Sequence, residues 1–221
     1  MTTTGSAALL QRLAGIDTTS LKDAGPGLRV LPAALRPVRA GVRLLGRALT
    51  VDAREDLMPV LAGLAQSGPG DVLVVAGHPE HAVAGELFAT EALRRGVAGI
   101  VIDGRCRDSR ILATLALPVF ARGVAPSACP ARALPVIQVP IVIGEVTVRP
   151  GDLVLGDDDG IVIGSEAEAS AAIDGAEVIQ QREAALRAAI EGGESLFDHL
   201  NFDEHLAALR EGGGDSRLTF S

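Results

Sequence analysis

The residues whose types and spacing suit chemistry lie between Gly85 and Asp108. Gly85 directly precedes a stretch with helical spacing that begins with Glu86, and Arg107 and Asp108 follow an apolar segment further along the chain. The unpaired N–H groups at the start of a helix, together with the helix dipole, attract an anion. A guanidinium and two carboxylates beside them would suit a small carboxylate ligand bound together with a divalent metal.

Two apolar segments on either side of this helix predict a βαβ unit. Asp71–Ala76 and Ala98–Ile102 are apolar runs of strand length, which predicts strands buried on both faces. The predicted helix over Glu86–Arg95 lies between them. Parallel strands joined in this way have their carboxyl ends at the same edge of the sheet. The loops over residues 77–85 and 103–108 are therefore expected to face one crevice.

The same residues also have interpretations without chemistry. Glu86 would stabilise the helix dipole from the first turn, and the pair Arg107–Asp108 would form a solvated turn. His78 and His81 lie in the first predicted loop, either as ligands or acid–base groups or as ordinary polar surface. Cys106 is either a thiol with a lowered pKa or a small packed residue. The spacing alone leaves these alternatives open.

The remaining segments predict a mixed sheet. Gly41–Val51 predicts a strand and Asp56–Gln66 a helix, while Thr18–Ser20 offers N-cap candidates for a short helix. Short apolar segments separated by Pro and Gly favour antiparallel or mixed pairing; they are Leu117–Phe120, Ile137–Ile143, Asp152–Leu155 and Ile161–Ile163. Asp157–Gly160 could be compared with a calcium-binding loop, but this alignment would place Leu155, which has no ligand oxygen in its side chain, at the first ligand position. We therefore predict a hairpin turn there.

A long helix is predicted over Glu166–Glu191, where Gly192 and Gly193 end it. At about 100° per residue, Glu183 falls in the middle of an apolar face; the other members of this face are Ile173, Ala176, Ile179, Leu186 and Ile190. A carboxylate there would pair with an arginine across an interface, or it would reach a metal site in the same or in a neighbouring subunit. Residues 192–221 are predicted to be an extension of a single domain spanning 1–221, with a mobile tail from Gly212–Gly214 onward.

Composition and charge exclude several kinds of partner. The 221 residues have a formal net charge of −8 and contain five Phe but no Trp or Tyr, which disfavours nucleic-acid binding. Cys106 and Cys129 form no disulfide framework, so a reducing compartment is expected. The longest apolar run, Ile111–Ala121, is too short to span a bilayer, and no secretory signal pattern is present. We expect a soluble, cytoplasmic protein without nucleic-acid or membrane partners.

Three segments resemble the RraA-like family, which includes metal-dependent 4-hydroxy-4-methyl-2-oxoglutarate aldolases and regulators of ribonuclease E activity. They are Gly85–Asp108, Leu117–Gly123 and Arg149–Gly160, with weaker similarity at Asp23–Ala24 and Gly68–Val75. The whole resemblance spans roughly residues 18–200. The resemblance implies an α/β fold: a swivelling β/β/α-type single domain with a central βαβ unit, a mixed sheet and a long C-terminal helix. It also implies a homotrimer or homohexamer with sites between subunits.

The resemblance further implies a metal site. Asp108 matches the aspartate that ligates Mg²⁺ or Mn²⁺, and Glu86 matches the acidic residue that holds metal-bound water. Glu183 falls where a carboxylate of the adjacent subunit approaches the metal. The metal set implied by the resemblance is thus Asp108, Glu86 and Glu183.

Roles in substrate binding follow from the same resemblance. Arg107 matches the arginine that pairs with the keto acid and stabilises its enolate. Gly85 and the amides of Leu87 and Phe88 match the group that holds the pyruvate carboxylate. The catalytic set implied is Arg107, Asp108 and Glu86.

The activity implied is that of a class II, metal-dependent lyase acting on a pyruvate-containing keto acid. It would cleave a C–C bond by retro-aldol reaction, decarboxylate oxaloacetate, or both, through a metal-stabilised pyruvate enolate. The only lysine, Lys22, lies outside the motif, and no Schiff base is needed. The aldolases have an acidic residue where this chain has Ile111. Two alternatives therefore stay open: a non-catalytic regulatory or binding protein on the same scaffold, and a diverged enzyme with a different substrate.

Overall fold

The computed structural model describes residues 3–212 and 214–220 and confirms the predicted mixed α/β architecture with a long C-terminal helix. Gly213, in the predicted tail, lies outside the described residues. The chain forms two compact units, residues 1–176 and 177–221. The assignment of residues 1–221 to one domain stays a prediction.

The helices include the two predicted over Glu86–Arg95 and Glu166–Glu191. In chain order they are α1 (Thr3–Leu13), α2 (Thr18–Ala24), α3 (Met58–Gln66), α4 (Glu86–Arg94), α5 (Ser109–Leu112), α6 (Glu166–Glu191) and α7 (Phe202–Arg210), with a 3-10 turn over Leu196–His199. Among the described residues, none of these helices combines the length and the apolar character that a bilayer span requires.

The strands are mostly short. In chain order they are β1 (Arg29–Val30), β2 (Arg36–Pro37), β3 (Leu44–Asp52), β4 (Asp71–Ala76), β5 (Ala82–Ala84), β6 (Gly99–Cys106), β7 (Val119–Val124), β8 (Val136–Ile137), β9 (Ile141–Ile143), β10 (Val146–Val148), β11 (Leu153–Gly156) and β12 (Ile161–Gly164). The main sheet has the order β1-β12-β11-β3-β4-β6-β7-β2, and β9 and β10 form a separate hairpin.

Four parallel strands form the centre of the main sheet. β3 pairs with β4, β4 with β6, and β6 with β7, all in parallel. This confirms the predicted parallel arrangement of the strands on either side of α4. The flanking strands β11 and β12 are antiparallel to their neighbours, and the turn over 157–160 joins them as predicted.

β4 is buried on both faces, as its continuous apolar sequence predicted. Leu73 and Val75 pack into one core with residues of α3 and α4, whereas Val72 and Val74 pack into a second core with β9 and β12. Because side chains alternate along a strand, each face supplies every second residue to its own core. The candidate site lies on the face of the sheet that α3 and α4 cover.

The predicted loops after β4 and β6 are shorter than expected. β6 continues to Cys106, so most of the segment 103–108 is strand and not loop. The loop predicted over residues 77–85 contains the short strand β5. Polar residues end the apolar run at Asp103, but pairing with β5 and β7 continues the strand. Arg122 Nε donates to Asp103 Oδ1 at 2.5 Å, which satisfies this carboxylate.

Two helices begin at other residues than predicted, and before each of them an aspartate accepts an amide of the first turn. α2 begins at Thr18, and its N-cap is Asp17 rather than a residue of Thr18–Ser20. The Asp17 carboxylate accepts the amide of Ser20 at 2.7 Å. α3 begins at Met58, since Asp56 accepts the Met58 amide instead of joining the helix.

Candidate functional site

A pocket of about 150 Å³ lies where β5, the start of α4 and the end of β6 meet. All six residues predicted from the segment 85–108 line it, and they are Gly85, Glu86, Leu87, Phe88, Arg107 and Asp108. The predicted crevice at the carboxyl ends of parallel strands is therefore present. Its remaining lining residues are Leu57, Ala82, Val83, Ala84 and Ala128.

Asp108 connects the end of β6 to the start of α4. Its backbone is left-handed (φ 59°, ψ 35°), a conformation that aspartate adopts more readily than most residues. Its Oδ2 accepts the backbone N–H of Glu86 at 3.1 Å and lies 3.5 Å from Nε of Arg107. The carboxylate thus satisfies one of the free amides of α4 and stands beside the guanidinium.

Gly85 is required by the close approach of these two side chains. A Cβ at this position would lie 2.3 Å from Asp108 Oδ2 and 2.9 Å from Cγ of Arg107. Both distances are far below an ordinary van der Waals contact. The sequence predicted that this glycine opens the helix and, by resemblance, belongs to the substrate-binding group; the structure adds that it leaves room for the Arg107 and Asp108 side chains.

The start of α4 presents two amides that are available to a ligand. Asp108 accepts the Glu86 amide, and the Ala89 amide donates to the carbonyl of Gly85 at 3.1 Å. Between them, the amides of Leu87 and Phe88 donate to no acceptor in the described part of the chain. Two free N–H groups and the Arg107 guanidinium in one pocket can hold a carboxylate.

The donors for a metal are carboxylates. Asp108 and Glu86 line the same pocket, and Asp108 Oδ1 accepts no hydrogen bond from the described residues. No group of three or more His, Cys, Asp or Glu side chains that could hold a metal occurs within residues 3–212 and 214–220. Mg²⁺ is commonly bound by one or two carboxylates with waters and substrate oxygens as the other ligands. The two carboxylates fit a site of that kind.

Glu183 is placed on α6 beyond the buried part of that helix. The apolar face of α6 is buried as far as Ala176, and the Glu183 side chain is exposed. It belongs to the unit formed by residues 177–221. Its approach to a metal site in an adjacent subunit stays a prediction.

The histidines and Cys106 stand outside the pocket. His78 Nδ1 accepts the amides of Glu80 and His81, each at 3.0 Å, and so holds the turn before β5. Neither histidine lines the pocket. Cys106 is fully buried, and this burial raises the pKa of its thiol. The alternative of a lowered pKa is therefore wrong, and Cys106 is the small packed residue.

Sequence reasoning missed the wall of the pocket formed by Leu57 and Ala128. The buried Asp56 carboxylate accepts the amides of Met58 (2.8 Å), Arg132 (2.7 Å) and Ala133 (3.1 Å). These hydrogen bonds connect the segment around Arg132 and Ala133, which follows Ala128, to the start of α3. In the sequence, Asp56 looks like any helix-capping aspartate, so no signal distinguished it.

We expect Asp56 to stabilise the fold in a pH-dependent way. Burial acts to raise the pKa of Asp56, but the amides of Met58, Arg132 and Ala133 and the charge of Arg132 outweigh it and lower the pKa below 3.8. The stabilisation is therefore present above the ordinary pKa and is lost as the pH falls through the lowered one. Asp56→Asn should lower the free energy of unfolding at pH 7, and the difference from the wild type should shrink below about pH 4.

Urea unfolding at a series of pH values measures this effect. Asp52→Asn is the matched control, because Asp52 forms a more exposed ion pair with Arg54 that should contribute little. A difference between wild type and Asp56→Asn that does not change with pH would contradict the assignment.

Fold and pocket together define a mixed α/β protein that can hold a small anion at a helix amino terminus, beside two carboxylates. The family model described as "RraA-like: Aldolase/RraA" matches residues 17–163, a span that includes every residue lining the pocket. The chain belongs to the RraA-like family.

Relatives and solved structures agree with this family. A protein of Halalkalibacterium halodurans named "Putative 4-hydroxy-4-methyl-2-oxoglutarate aldolase" is 38% identical over 151 residues, which are 67% of this chain and 72% of that protein. The crystal structure of an uncharacterized protein from Pseudomonas syringae pv. tomato is similar with a TM-score of 0.78 and 28% identity, over 87% of this chain and 96% of the other. The structure titled as the RNA-processing inhibitor RraA from Thermus thermophilis has a TM-score of 0.64 and 30% identity, over 67% and 92%.

Proposed function

We propose that the protein is a divalent-metal-dependent lyase that cleaves a C–C bond in a pyruvate-containing keto acid. The observation that supports it most directly is the pocket in which two free helix amides, Arg107 and the carboxylates of Asp108 and Glu86 meet. Relatives named as 4-hydroxy-4-methyl-2-oxoglutarate aldolases support a lyase-type activity. The reaction would be a retro-aldol cleavage, a decarboxylation of oxaloacetate, or both.

The start of α4 binds the keto-acid end of the substrate in this proposal. The amides of Leu87 and Phe88 hold the carboxylate, and no side chain at Gly85 obstructs it. A volume of about 150 Å³ suits a fragment the size of pyruvate better than a larger ligand, since pockets for drug-sized molecules start at about 300 Å³.

Arg107 stabilises the charge that the reaction produces. Breaking the bond to C3 leaves an electron pair that is delocalised onto the keto oxygen, and a guanidinium beside that oxygen lowers the energy of this state. Glu86 moves the hydroxyl proton of the substrate, directly or through one water. Asp108 and Glu86 would hold Mg²⁺ or Mn²⁺, which when bound supplies Lewis-acid polarisation of the keto acid.

A Schiff-base mechanism has no residue to support it. Lys22 is the only lysine of the chain, and it is not among the pocket's lining residues. Its Nζ donates to the carbonyls of Gly25, Pro26 and Leu28, at 3.5, 3.0 and 2.8 Å. This ammonium group is therefore engaged in closing the turn after α2.

Metal removal tests the proposal. We expect pyruvate release from 4-hydroxy-4-methyl-2-oxoglutarate or oxaloacetate in the presence of Mg²⁺ or Mn²⁺, loss of turnover with EDTA, and recovery when the metal is added back in excess. A lactate dehydrogenase assay that follows NADH measures the pyruvate. Turnover that survives exhaustive chelation, or none with either metal, would contradict the proposal.

A homotrimer or homohexamer with sites between subunits is part of the proposal. In such an assembly, the exposed carboxylate of Glu183 in a neighbouring subunit would complete the metal site. Analytical ultracentrifugation of the full chain checks the number of subunits.

A second candidate is a non-catalytic regulatory or binding protein. It is favoured by the similarity to the structure titled as an RNA-processing inhibitor, of which this chain covers 92%. Calorimetric titration with Mn²⁺ discriminates between the two. A chain that binds no divalent metal and releases no pyruvate would favour the regulatory function.

A further inference from the structure

The second compact unit, residues 177–221, has no buried core of its own. None of its described residues, 177–212 and 214–220, is buried. The unit contains three of the five phenylalanines of the chain, and Phe197, Phe202 and Phe220 are 60%, 40% and 59% exposed. Large apolar side chains that stay exposed together after a unit has folded indicate a surface that another molecule covers.

Two of these phenylalanines line an open depression of about 660 Å³, which we call the aromatic groove. The Phe197 and Phe202 rings contact each other edge to face, with their centroids 5.2 Å apart. Leu200 completes the apolar part of the lining. Such a pair of rings offers a ligand apolar area and also a π surface that attracts a cation.

One wall of the aromatic groove is held in place by an asparagine. Asn201 Nδ2 donates to the carbonyl of Arg217 at 3.0 Å, and Asn201 Oδ1 accepts the amide of Thr219 at 2.7 Å. Thr219 lines the groove, and the next residue, Phe220, forms an antiparallel bridge with Leu200. These contacts make the groove a defined feature of the unit.

The charged groups of the aromatic groove are carboxylates. Asp203 and Glu204, in the first turn of α7, line the groove together with the rings. Neither carboxylate forms an ion pair or a hydrogen bond with any residue that the structure describes. Glu194 of the same unit differs, since it is paired with His199 at 2.9 Å. Two unpaired carboxylates beside two aromatic rings suit a cationic ligand.

The charge of the whole unit decides between the possible occupants of the groove. Residues 177–221 contain nine acidic residues and four arginines, so that they carry a net charge of −5 out of −8 for the chain. Two such acidic surfaces repel each other, which disfavours a second copy of the chain as the occupant. An anionic lipid surface is disfavoured for the same reason. A basic segment of another protein has the complementary charge.

We propose that the aromatic groove docks a basic amphipathic helix of another protein. An arginine of this helix stacks on a phenylalanine ring and pairs with Asp203 or Glu204. Aliphatic side chains spaced three and four residues apart cover Phe197, Phe202 and Leu200. The groove lies beyond residue 163, where the match to the family model ends, so the docking surface belongs to the C-terminal extension and not to the keto-acid pocket.

Binding of a synthetic peptide tests this docking surface. The probe is a fluorescently labelled peptide of about 18 residues, which is five helical turns, with leucines on one face and arginines on the other. Fluorescence anisotropy with the full chain gives the Kd. We expect the Kd to rise about 10-fold in Phe197→Ala and in the double variant Asp203→Asn, Glu204→Gln, since each removes one of the two kinds of contact.

Matched controls lie outside the groove. Leu134→Ala removes an exposed apolar side chain, and Asp215→Asn removes an exposed carboxylate. Both variants should bind the peptide with the wild-type Kd. A peptide with glutamate in place of every arginine should bind the wild type at least about 10-fold more weakly. Circular dichroism of all variants checks that the helices are retained.

Several results would overturn the proposal. The arginine peptide might as well be inert if it does not bind the wild type, or if it binds the groove variants with the wild-type Kd; either result excludes a basic helix as the occupant. A smaller assembly of Phe197→Ala in analytical ultracentrifugation would show that a second copy of the chain covers the groove. The binding assay contains no metal and no keto acid, so its outcome is independent of the proposed function.

Discussion

Asp108→Asn is expected to lower kcat/KM for metal-dependent pyruvate release by about 1,000-fold, the upper range for the loss of one charged group that acts on the transition state. The substitution removes the carboxylate that would hold the metal but keeps the size of the side chain. Asparagine also adopts the left-handed backbone found at this position, so the turn after β6 should be preserved. The loss should therefore reflect chemistry rather than folding.

A pyruvate-release assay measures the loss of turnover, and calorimetric titration with Mn²⁺ measures the loss of metal affinity. Asp174→Asn is the control, because Asp174 is an exposed aspartate of α6 whose side chain is paired with Arg12. It should retain wild-type turnover and metal affinity. Full EDTA-sensitive activity in Asp108→Asn would show that another group holds the metal.

Gly85→Ala is expected to lower kcat/KM by about 100-fold, the size of effect that follows a displacement of about 1 Å in an active site. The added methyl group would lie 2.3 Å from Asp108 Oδ2, so the carboxylate or the start of α4 must move. The hydrogen bond from the Glu86 amide to Asp108 would be broken or stretched. A fall in the free energy of unfolding of about 1–3 kcal/mol should accompany the loss of activity.

Gly68→Ala is the matched control for this substitution. A Cβ at Gly68 has no neighbour within 4 Å, so neither stability nor turnover should fall. Urea unfolding and pyruvate release of both variants give the comparison. Wild-type kinetics in Gly85→Ala would show that the close packing of Gly85, Arg107 and Asp108 is not needed for the reaction.

The sequence predicted the centre of the molecule because local patterns determine it. The apolar run of β4 and the periodicity of α4 and α6 were sufficient to place these elements within one residue of their observed ends. From the parallel pairing alone, the pocket residues of segments 85–88 and 107–108 could be brought to one edge of the sheet. Their proximity is confirmed, while their roles in catalysis stay predictions.

The rest of the pocket depends on contacts between segments that are distant in the chain. β5 has only three residues and exists because it pairs with β6, while the carbonyl of Ala82 accepts the amide of Cys129 at 3.0 Å. The extension of β6 also depends on pairing, of Asp103 with Ala76 of β4 and of Arg105 with β5 and β7. Neither composition nor periodicity signals such partners, so Leu57 and Ala128 could not be foreseen as pocket walls.

The two sides of Asp108 differ in packing, and this difference determines how the protein tolerates mutation. On one side, Gly85 and Asp108 are so closely packed that any side chain at position 85 would meet the Asp108 carboxylate. On the other side, α5 has four residues, of which only Leu112 is buried. Substitutions at its surface cost little folding stability. The surface formed by α5 can therefore vary in sequence at little cost in stability, while the packing of Gly85 against Asp108 restricts the residues of the pocket itself.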